Sequence, residues 1–341
     1  MVPKEETRRT NLRRILDLAR RRGPIPQVEL ARLTGLRPST ISYLTRRLKG
    51  AGIIREAGRG IAGPTGGKPT VQLAVNSDFG LFTGALLRGG ELTTTRVDFS
   101  GAPRRWRHHK LDGSDPEMIF ALLETQISAD RERAAHEGVG YLGVGFAVSS
   151  VVDALGRVHP SADFGYDLRE LPYRLRDAAG PHAVVSVEND ANSTVIYKYH
   201  RSVEPAASIL SLVFSRRPVS LGAGLLLDGT LVRGAGGGAG EILPGGRGGD
   251  LELADVLAAA AVRFVDPAEV VIAMDQGEGD DLLEEYTDLR REFAGRQVDY
   301  VVNPEAAVLG AAHLAYEAVL PRLLSKESLE AVSEKIGEEK G

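Results

Sequence analysis

The sequence predicts a mixed α/β protein, with a small helical domain at the N-terminus followed by a larger α/β body. The chain has 341 residues, and at about 100–200 residues per domain this length suits two or three domains. Residues 1–70 show helical periodicity and end in a glycine-rich stretch. Short apolar runs then alternate with helical patterns over the rest of the chain, which favours an α/β architecture.

The net charge hides an uneven distribution of charged residues along the chain. The formal net charge is −4, yet residues 1–70 hold 16 Lys and Arg against 5 Asp and Glu, or +11, which leaves −15 for the remainder. A basic segment joined to an acidic body is typical of a nucleic-acid-binding module attached to another domain. A solvated basic face is the alternative where no motif lies beneath the charge.

The composition excludes several classes of site. The chain has no cysteine, which excludes disulfides, thiolate zinc sites, iron–sulfur clusters and cysteine nucleophiles. Its 7 histidines show no metal-ligand spacing, so we predict neither a metal nor another cofactor. The first ten residues contain no apolar signal region, and no run approaches the roughly 20 apolar residues that span a bilayer. We therefore expect a cytoplasmic protein without a membrane partner.

The N-terminal segment has the pattern of a helix-turn-helix. Leu12, Ile15, Leu16 and Ala19 recur at helical spacing before Gly23-Pro24, a helix-ending pair. A short second helix is predicted over 27–33, with Val28, Leu30 and Ala31 as its apolar positions. A turn over 34–36 follows, and Pro38 suits the first turn of a third helix that runs to about Lys49.

The third predicted helix has one apolar face and one polar face. Ile41, Leu44 and Leu48 fall on one side, and short polar or guanidinium side chains occupy the other. Such side chains on an exposed helix suit contacts to phosphates and base edges. An ordinary three-helix bundle is the alternative. The predicted DNA-binding residues of this region are Arg37, Ser39, Thr40, Ser42, Tyr43, Arg46 and Arg47.

A wing is predicted after the third helix. Residues 53–55 and 70–73 have the pattern of two short strands, and the stretch 58–69 between them is too rich in glycine to pack a core. Arg59 and Lys68 are predicted to contact the DNA backbone or minor groove, together with Gly66 and Gly67. The run Gly-Gly-Lys-Pro at 66–69 is not a nucleotide-binding loop, because proline stands where Ser or Thr is needed and the first glycine is out of register.

The body shows strands and helices in turn. A hairpin is predicted over 81–87 and 91–99, and no internal repeat is visible. The remaining predicted strands are 142–148, 184–187, 209–214, 221–227, 270–273 and 298–301. The remaining predicted helices are 115–137, 190–200, 282–293 and one that begins at Pro304.

The run from Gly23 to Pro69 resembles the N-terminal domain of ROK-family transcriptional repressors (repressor, open reading frame, kinase). The resemblance lies in Val-Glu-Leu-Ala-Arg-Leu-Thr-Gly-Leu at 28–36, Ser-Thr-Ile-Ser at 39–42, Leu-Lys-Gly-Ala-Gly-Ile-Ile at 48–54 and Gly-Gly-Lys-Pro at 66–69. Relatives usually have Gly-Gly-Arg-Pro in the last of these, as a wing element. The lysine here keeps the charge but lacks the planar fork of arginine.

The body is similar to the ROK sugar-kinase-like fold, a relative of hexokinase and actin with two α/β lobes around a cleft. The similarity lies in Glu-Asn-Asp-Ala-Asn at 188–192, the glycine-containing run 221–229, Gly-Ala-Gly-Glu-Ile at 238–242 and the helix at 310–315. The resemblance implies that Asp190 corresponds to the base that deprotonates the sugar hydroxyl in family kinases. It also implies that Glu188, Asn189, Asp190 and Glu241 line an effector site. A helix cap is the alternative role of Asp190.

The phosphate-binding parts of the kinase pattern are altered. Family kinases open the body with Asp-x-Gly-Gly-Thr, where this chain has Phe-Gly-Leu-Phe-Thr-Gly-Ala at 79–85. Bulky residues occupy the second phosphate region at 214–222, and Val-Ile-Ala-Met-Asp at 271–275 replaces a glycine-rich turn. Phosphoryl transfer depends on positioning and phosphate stabilisation, so we predict no enzyme activity. Asp190 is then a vestigial base, and no catalytic residue is predicted.

The sugar-binding and zinc-binding parts also depart from the family pattern. The histidine that normally touches sugar and zinc is replaced by Pro244, the zinc-binding cysteines are absent, and Ser-Ser-Val-Val-Asp at 149–153 replaces Pro-Gly-x-Val-Asp. Residues 234–249 contain 9 glycines, and the long helical segment expected after them is mostly missing. We expect a shortened C-terminal lobe.

We predict a DNA-binding regulator, a repressor of carbohydrate-metabolism genes, whose degenerate cleft binds a sugar or sugar phosphate. The expected partners are a double-stranded DNA operator and a second copy, as a homodimer or dimer of dimers. Two alternatives stay open: a sugar kinase with a DNA-binding head, and an effector-independent DNA-binding protein with a decayed sugar site. The predicted domains are a winged helix (1–76), an N-terminal α/β lobe (77–202), a shortened, dimerising C-terminal lobe (203–324) and a charged tail (325–341).

Overall fold

The computed structural model describes residues 4–59, 70–111, 115–160, 167–216, 219–243, 250–274, 285–325 and 327–329. The chain forms two units. The head unit comprises residues 1–80, 98–102 and 317–341, and the body unit comprises residues 81–97 and 103–316. The predicted domain boundaries at residues 76, 202 and 324 remain predictions.

The head unit contains three helices of the winged-helix pattern and a small sheet. Its elements are α1 (Lys4–Arg22), β1 (Ile25–Pro26), α2 (Gln27–Thr34), α3 (Pro38–Gly50), β2 (Ile54–Arg59) and β3 (Val71–Val75). The three strands lie in the order β1-β3-β2. Both pairings are antiparallel.

Burial of the apolar positions explains why these helices form where they do. Leu12, Ile15 and Leu16 of α1 are fully buried, which matches the helical spacing read from the sequence. Helix α2 ends at Gly35, which takes a left-handed backbone with φ of 70°. This conformation is strained for residues with a Cβ atom.

The predicted role of Val28 is wrong. Its side chain is 67% exposed, whereas Leu30 and Thr34 are the buried residues of α2. Residues 30 and 34 are one turn apart and therefore share a face, while residue 28 lies on the opposite side of the helix. A helix this short buries only a narrow stripe.

The body unit contains two mixed sheets covered by helices. Its elements begin with β4 (Gly80–Arg88), β5 (Glu91–Asp98), β6 (Pro103–Lys110), α4 (Pro116–Glu137), β7 (Gly140–Val148), α5 (Leu171–Ala179), β8 (Val184–Asn189) and α6 (Asp190–Arg201). They continue with β9 (Ser208–Arg216), β10 (Val219–Leu227), β11 (Thr230–Leu231), β12 (Glu241–Leu243), α7 (Leu251–Val265), β13 (Glu269–Met274), α8 (Thr287–Arg291), β14 (Gln297–Val302) and α9 (Asn303–Leu323). Both β4 and β5 begin or end at a unit boundary, and α9 continues into residues assigned to the head unit.

The strand orders are β6-β5-β4-β7-β8 in the first sheet and β11-β10-β9-β13-β14 in the second, where β12 also pairs with β10. Helices α4 and α5 bury Leu123, Ile127 and Leu175 against the first sheet. Helices α7 and α8 bury Ala258, Val262 and Leu289 against the second. Each sheet therefore has its own apolar core.

Two elements of the body were not predicted, and one is shorter than predicted. Strand β6 is rich in Arg and His and mostly exposed, because it lies at the sheet edge and needs no apolar face. Helix α5 was also missed, although Leu171, Leu175 and Ala179 form a buried stripe. Of the helix predicted over 282–293, residues 282–284 lie outside the described part of the chain, and the described helix is Thr287–Arg291.

Candidate nucleic-acid interface and candidate effector site

The third helix of the head unit separates its apolar and polar residues onto two faces. Ile41, Leu44 and Leu48 are buried, whereas Tyr43 is 47% exposed. Ser39, Arg46 and Arg37, the residue that precedes the helix, are also exposed. Ser39, Tyr43 and Arg46 follow one another at spacings of four and three residues and therefore form one stripe.

Three other residues predicted to bind DNA lie at the edges of this stripe. Thr40, Ser42 and Arg47 are half-buried. The Ser42 hydroxyl donates to Oε1 of Gln27 at 3.1 Å, and Nε2 of Gln27 donates to the Thr45 hydroxyl at 3.1 Å. Gln27 is the first residue of α2. Ser42 therefore helps to join α2 to α3.

Arg47 and Tyr43 form a local pair on α3. Nη1 of Arg47 donates to the Tyr43 hydroxyl at 3.2 Å, and the guanidinium carbon lies 5.9 Å from the ring centroid. This hydrogen bond lowers the pKa of Tyr43 below its ordinary value. The pair holds an aromatic ring and a cation beside the exposed stripe.

The predicted wing lies mostly outside the described residues. Arg59 is the last residue of β2, and its side chain is not described. Gly66, Gly67 and Lys68 fall in the undescribed stretch 60–69. Their contacts with DNA remain predictions.

In the body unit, buried polar residues gather where β8 ends and α6 begins. Glu188, Asn189, Asp190 and Asn192 are all buried. The Oδ1 atom of Asn189 caps α6 by accepting from the amides of Ala191 and Asn192 at 2.8 and 3.2 Å. Capping is thus the work of Asn189, whereas the sequence suggested Asp190 as a helix cap. Its Nδ2 atom donates to the Ser150 carbonyl at 3.1 Å and to Oε1 of Glu241 at 3.3 Å.

The structure therefore brings all four predicted effector residues together. Glu241 comes from β12 of the second sheet, and Glu188 and Asn189 come from β8 of the first. Oε1 of Glu188 accepts from Nδ2 of Asn192 at 3.0 Å. Carboxylate and amide groups in this arrangement are suited to binding hydroxyl groups.

Arg88, at the end of β4, is a residue that sequence reasoning missed. Its Nη1 atom donates to Oδ2 of Asp190 at 2.6 Å, and its Nη2 atom donates to the Phe214 carbonyl at 2.8 Å. Asn303, oriented with its amide oxygen toward Arg88, accepts from Nη1 and Nε at 2.9 and 3.0 Å. The side chain of Arg88 is only 11% exposed.

Arg233 forms a second ion pair in this cluster. Its Nε atom donates to Oε2 of Glu188 at 2.8 Å. The Glu188 side chain is 5% exposed and the Arg233 side chain 42%. Each of the two buried carboxylates, Glu188 and Asp190, is therefore bound by an arginine of the same chain. An arginine directly after an otherwise buried strand is the only sequence signal that marks Arg88.

The kinase-like phosphate regions form ordinary strands where the structure describes them. Residues 80–85 belong to β4, in which Phe82 is fully buried. The second region spans the end of β9 and the start of β10, with residues 217–218 outside the described part. Pro244 also falls outside it. None of the described helices has the length and apolar composition needed to cross a membrane.

The head and body define a class of protein in which a winged helix-turn-helix is joined to a sugar-kinase-like fold. Residues 8–55 match a family model described as winged helix-turn-helix DNA-binding. The chain is 23% identical over 236 residues to the xylose repressor of Bacillus spizizenii, covering 69% of this chain and 60% of that protein. It is 27% identical over 221 residues to the xylose repressor of Caldicellulosiruptor bescii, covering 64% and 54%. The chain thus matches less than two thirds of the length of these relatives.

Solved structures share the fold. A ROK family transcriptional regulator, described as a homolog of the E. coli MLC protein, superposes with a TM-score of 0.69 at 17% identity, covering 95% of this chain and 99% of that one. The ROK hexokinase from Thermus thermophilus superposes with a TM-score of 0.54 at 20% identity, covering 70% and 99%. The predicted fold class, a winged helix-turn-helix joined to a ROK-type α/β body, is confirmed. The predicted resemblance to ROK-family transcriptional regulators is confirmed with it.

Proposed function

We propose that this chain is a transcriptional repressor of sugar-metabolism genes that binds operator DNA through α3. The observation that carries the proposal is the exposed stripe of Ser39, Tyr43 and Arg46 above the buried residues of the same helix. A helix with this division can enter a major groove while its apolar face holds it to the domain. The named xylose repressors among its relatives support the same role.

Operator binding by α3 is tested with Arg46→Ala and Arg47→Ala. Genomic footprinting with the purified protein first identifies an operator, and fluorescence anisotropy then measures the dissociation constant. Loss of a base contact costs about 1–3 kcal/mol, so we expect about 5- to 150-fold weaker binding from a variant that removes one. Arg133→Ala is the matched control, since Arg133 is exposed on α4 and pairs with Glu137 of the same helix. A footprint unchanged by both α3 variants would contradict the proposal.

The chain is further proposed not to be a sugar kinase. A general base must have a carboxylate oxygen free to accept the proton of the attacking hydroxyl. Asp190 is buried, one of its oxygens accepts from Arg88, and the other accepts from the amide of Ala191 at 2.9 Å. A coupled assay with ATP and D-xylose or D-glucose checks this, and we expect no sugar-dependent turnover. Turnover that disappears in Asp190→Asn would establish the kinase alternative.

Effector-independent repression is a second candidate function, and the two arginine pairs favour it. A sugar that binds through Glu188 or Asp190 must compete with Arg233 or Arg88 for the carboxylate. Calorimetric titration with D-xylose, other aldoses and their phosphates separates the two candidates. A saturable response that Asn189→Ala abolishes supports an effector site. No response at millimolar concentration supports effector independence.

A further inference from the structure

Helix α7 of the body unit is apolar on two opposite faces. Apart from Glu252, Asp255 and Arg263, all its residues are apolar. One face, with Ala254, Ala258 and Val262, is buried in the core of the second sheet. The other face carries Leu253, Val256, Ala260 and Phe264, which are all exposed.

The exposed face is unusual for a helix at a protein surface. Phe264 is 91% exposed, Val256 47% and Leu253 43%. A helix that is apolar all round is normally covered on all sides, and contiguous exposed apolar residues mark interaction sites. At 100° per residue, residues 253, 256, 260 and 264 fall within one arc of about 80°. They form a single stripe, which we call the α7 stripe.

The α7 stripe is complementary to itself in reverse. Glu252 and Arg263 flank it on one edge, near opposite ends of the helix, and both are exposed. When two copies of α7 pack antiparallel about a two-fold axis near Ala258, Glu252 of one copy faces the partner's Arg263. In the same arrangement Leu253 faces the partner's Phe264 and Val256 faces the partner's Ala260. The matching of size and charge arises because each of these pairs is centred on residue 258 or within one residue of it.

We propose that the α7 stripe is the centre of a homodimer interface in which two α7 helices pack antiparallel. A two-fold interface uses the same patch on both protomers and must be self-complementary, which the order of residues along α7 satisfies. The small side chain of Ala260 provides room for the larger Val256. The inference deepens the proposed function, since a dimer supplies the two heads that a palindromic operator requires.

The test measures dimerisation of the full chain by sedimentation equilibrium, for the wild type and four variants. Val256→Glu places a charge in the interface centre, where loss of a hot spot of about 2 kcal/mol corresponds to about a thirtyfold higher dissociation constant. Glu252→Arg and Arg263→Glu should each weaken the dimer, and the double variant Glu252→Arg/Arg263→Glu should restore it. Thermal unfolding of each protein checks that it is folded.

Leu155→Glu is the matched control, because Leu155 is 75% exposed elsewhere in the body unit. We expect it to leave the dimer unchanged. A wild type that is monomeric throughout the concentration series would overturn the proposal, and the stripe would then belong to a different partner protein. A dimer that Val256→Glu leaves intact would also overturn it.

DNA binding is measured separately, so that failure of the interface and failure of the proposed function are distinguishable. Monomeric Val256→Glu should still bind a single half-site with an affinity that depends on Arg46. If the wild type dimerises through α7 but binds no DNA, only the proposed function fails. If DNA binding depends on Arg46 while dimerisation ignores the α7 variants, only the interface fails.

Discussion

At the scale of single residues, Arg88 and Asp190 form the most buried ion pair of the effector cluster. Nη1 of Arg88 lies 2.6 Å from Oδ2 of Asp190, and the two side chains are 11% and 5% exposed. Two buried charges are tolerated when they are paired and hydrogen-bonded, whereas one alone carries a large desolvation cost. The pair therefore ties the end of β4 to the start of α6.

Arg88→Met should destabilise the body unit by about 3–5 kcal/mol, because it leaves the Asp190 carboxylate buried without its cation. Chemical denaturation measures the free energy of unfolding. The double variant Arg88→Met/Asp190→Asn should recover part of the loss, since it removes the orphaned charge as well. Arg169→Met, in an exposed pair with Asp167, is the control and should leave the unfolding midpoint unchanged. Equal loss in the single and double variants would contradict the importance of the charge.

Two carboxylates of the head unit are held in partly buried positions. Burial raises the pKa of Asp17 above 3.8 and that of Glu317 above 4.5, although Arg13 opposes the shift at both. Arg13 pairs with both carboxylates. An acid with a raised pKa in the folded state binds its proton more tightly there than in the unfolded chain. Its contribution to stability therefore falls as pH rises from the ordinary pKa through the folded one.

Asp17→Asn/Glu317→Gln should gain stability relative to the wild type as pH rises from about 4 toward neutrality. The neutral side chains do not lose a proton, so the variant escapes the penalty that develops in the wild type. The measurement is the difference in unfolding midpoint between the two proteins across this pH range. A difference that stays constant or changes in the opposite direction would show that ion pairing with Arg13 outweighs burial.

At the scale of secondary-structure elements, glycines allow the helices of the body unit to approach their neighbours closely. A Cβ atom on Gly310 of α9 would lie 1.8 Å from the Ser193 carbonyl oxygen of α6. One on Gly145 of β7 would lie 1.9 Å from the Ala311 carbonyl oxygen. Both obstacles are backbone atoms, which cannot rotate away as a side chain does. Gly310 and Gly145 are therefore required by packing.

Gly310→Ala should destabilise the body unit by about 1–3 kcal/mol or more, the range for overpacking a filled core. Gly236→Ala is the matched control, since a Cβ atom there meets nothing within 4 Å. Thermal or chemical unfolding compares the two variants with the wild type. Equal stability of the Gly310 and Gly236 variants would mean that α9 can shift without cost.

At the scale of the whole molecule, the two signs of charge are divided along the sequence. Residues 1–70 carry a net +11 and the remainder carries −15. DNA phosphates attract the first segment and repel the second. The proposed contact with DNA should accordingly involve the basic segment.

Operator binding should weaken steeply with salt, because basic residues release condensed counterions when they neutralise phosphates. The dissociation constant measured at several salt concentrations gives a linear plot of log K against log salt. Lys49→Ala on the exposed surface of α3 should reduce the slope by about one if that residue contacts a phosphate. Affinity that does not change with salt would be incompatible with this mode of binding.

The sequence by itself determined the helix-turn-helix and most strands and helices of the body, because apolar periodicity records which face of each element is buried. It also placed Glu188, Asn189 and Asp190 together, since they are adjacent in the chain. Only the tertiary structure decided that Arg88, 102 residues from Asp190, forms an ion pair with it. The same holds for Arg233 and Glu188, which are 45 residues apart. Local patterns carry no information on which distant charges meet, because that depends on how the strands are ordered in the two sheets.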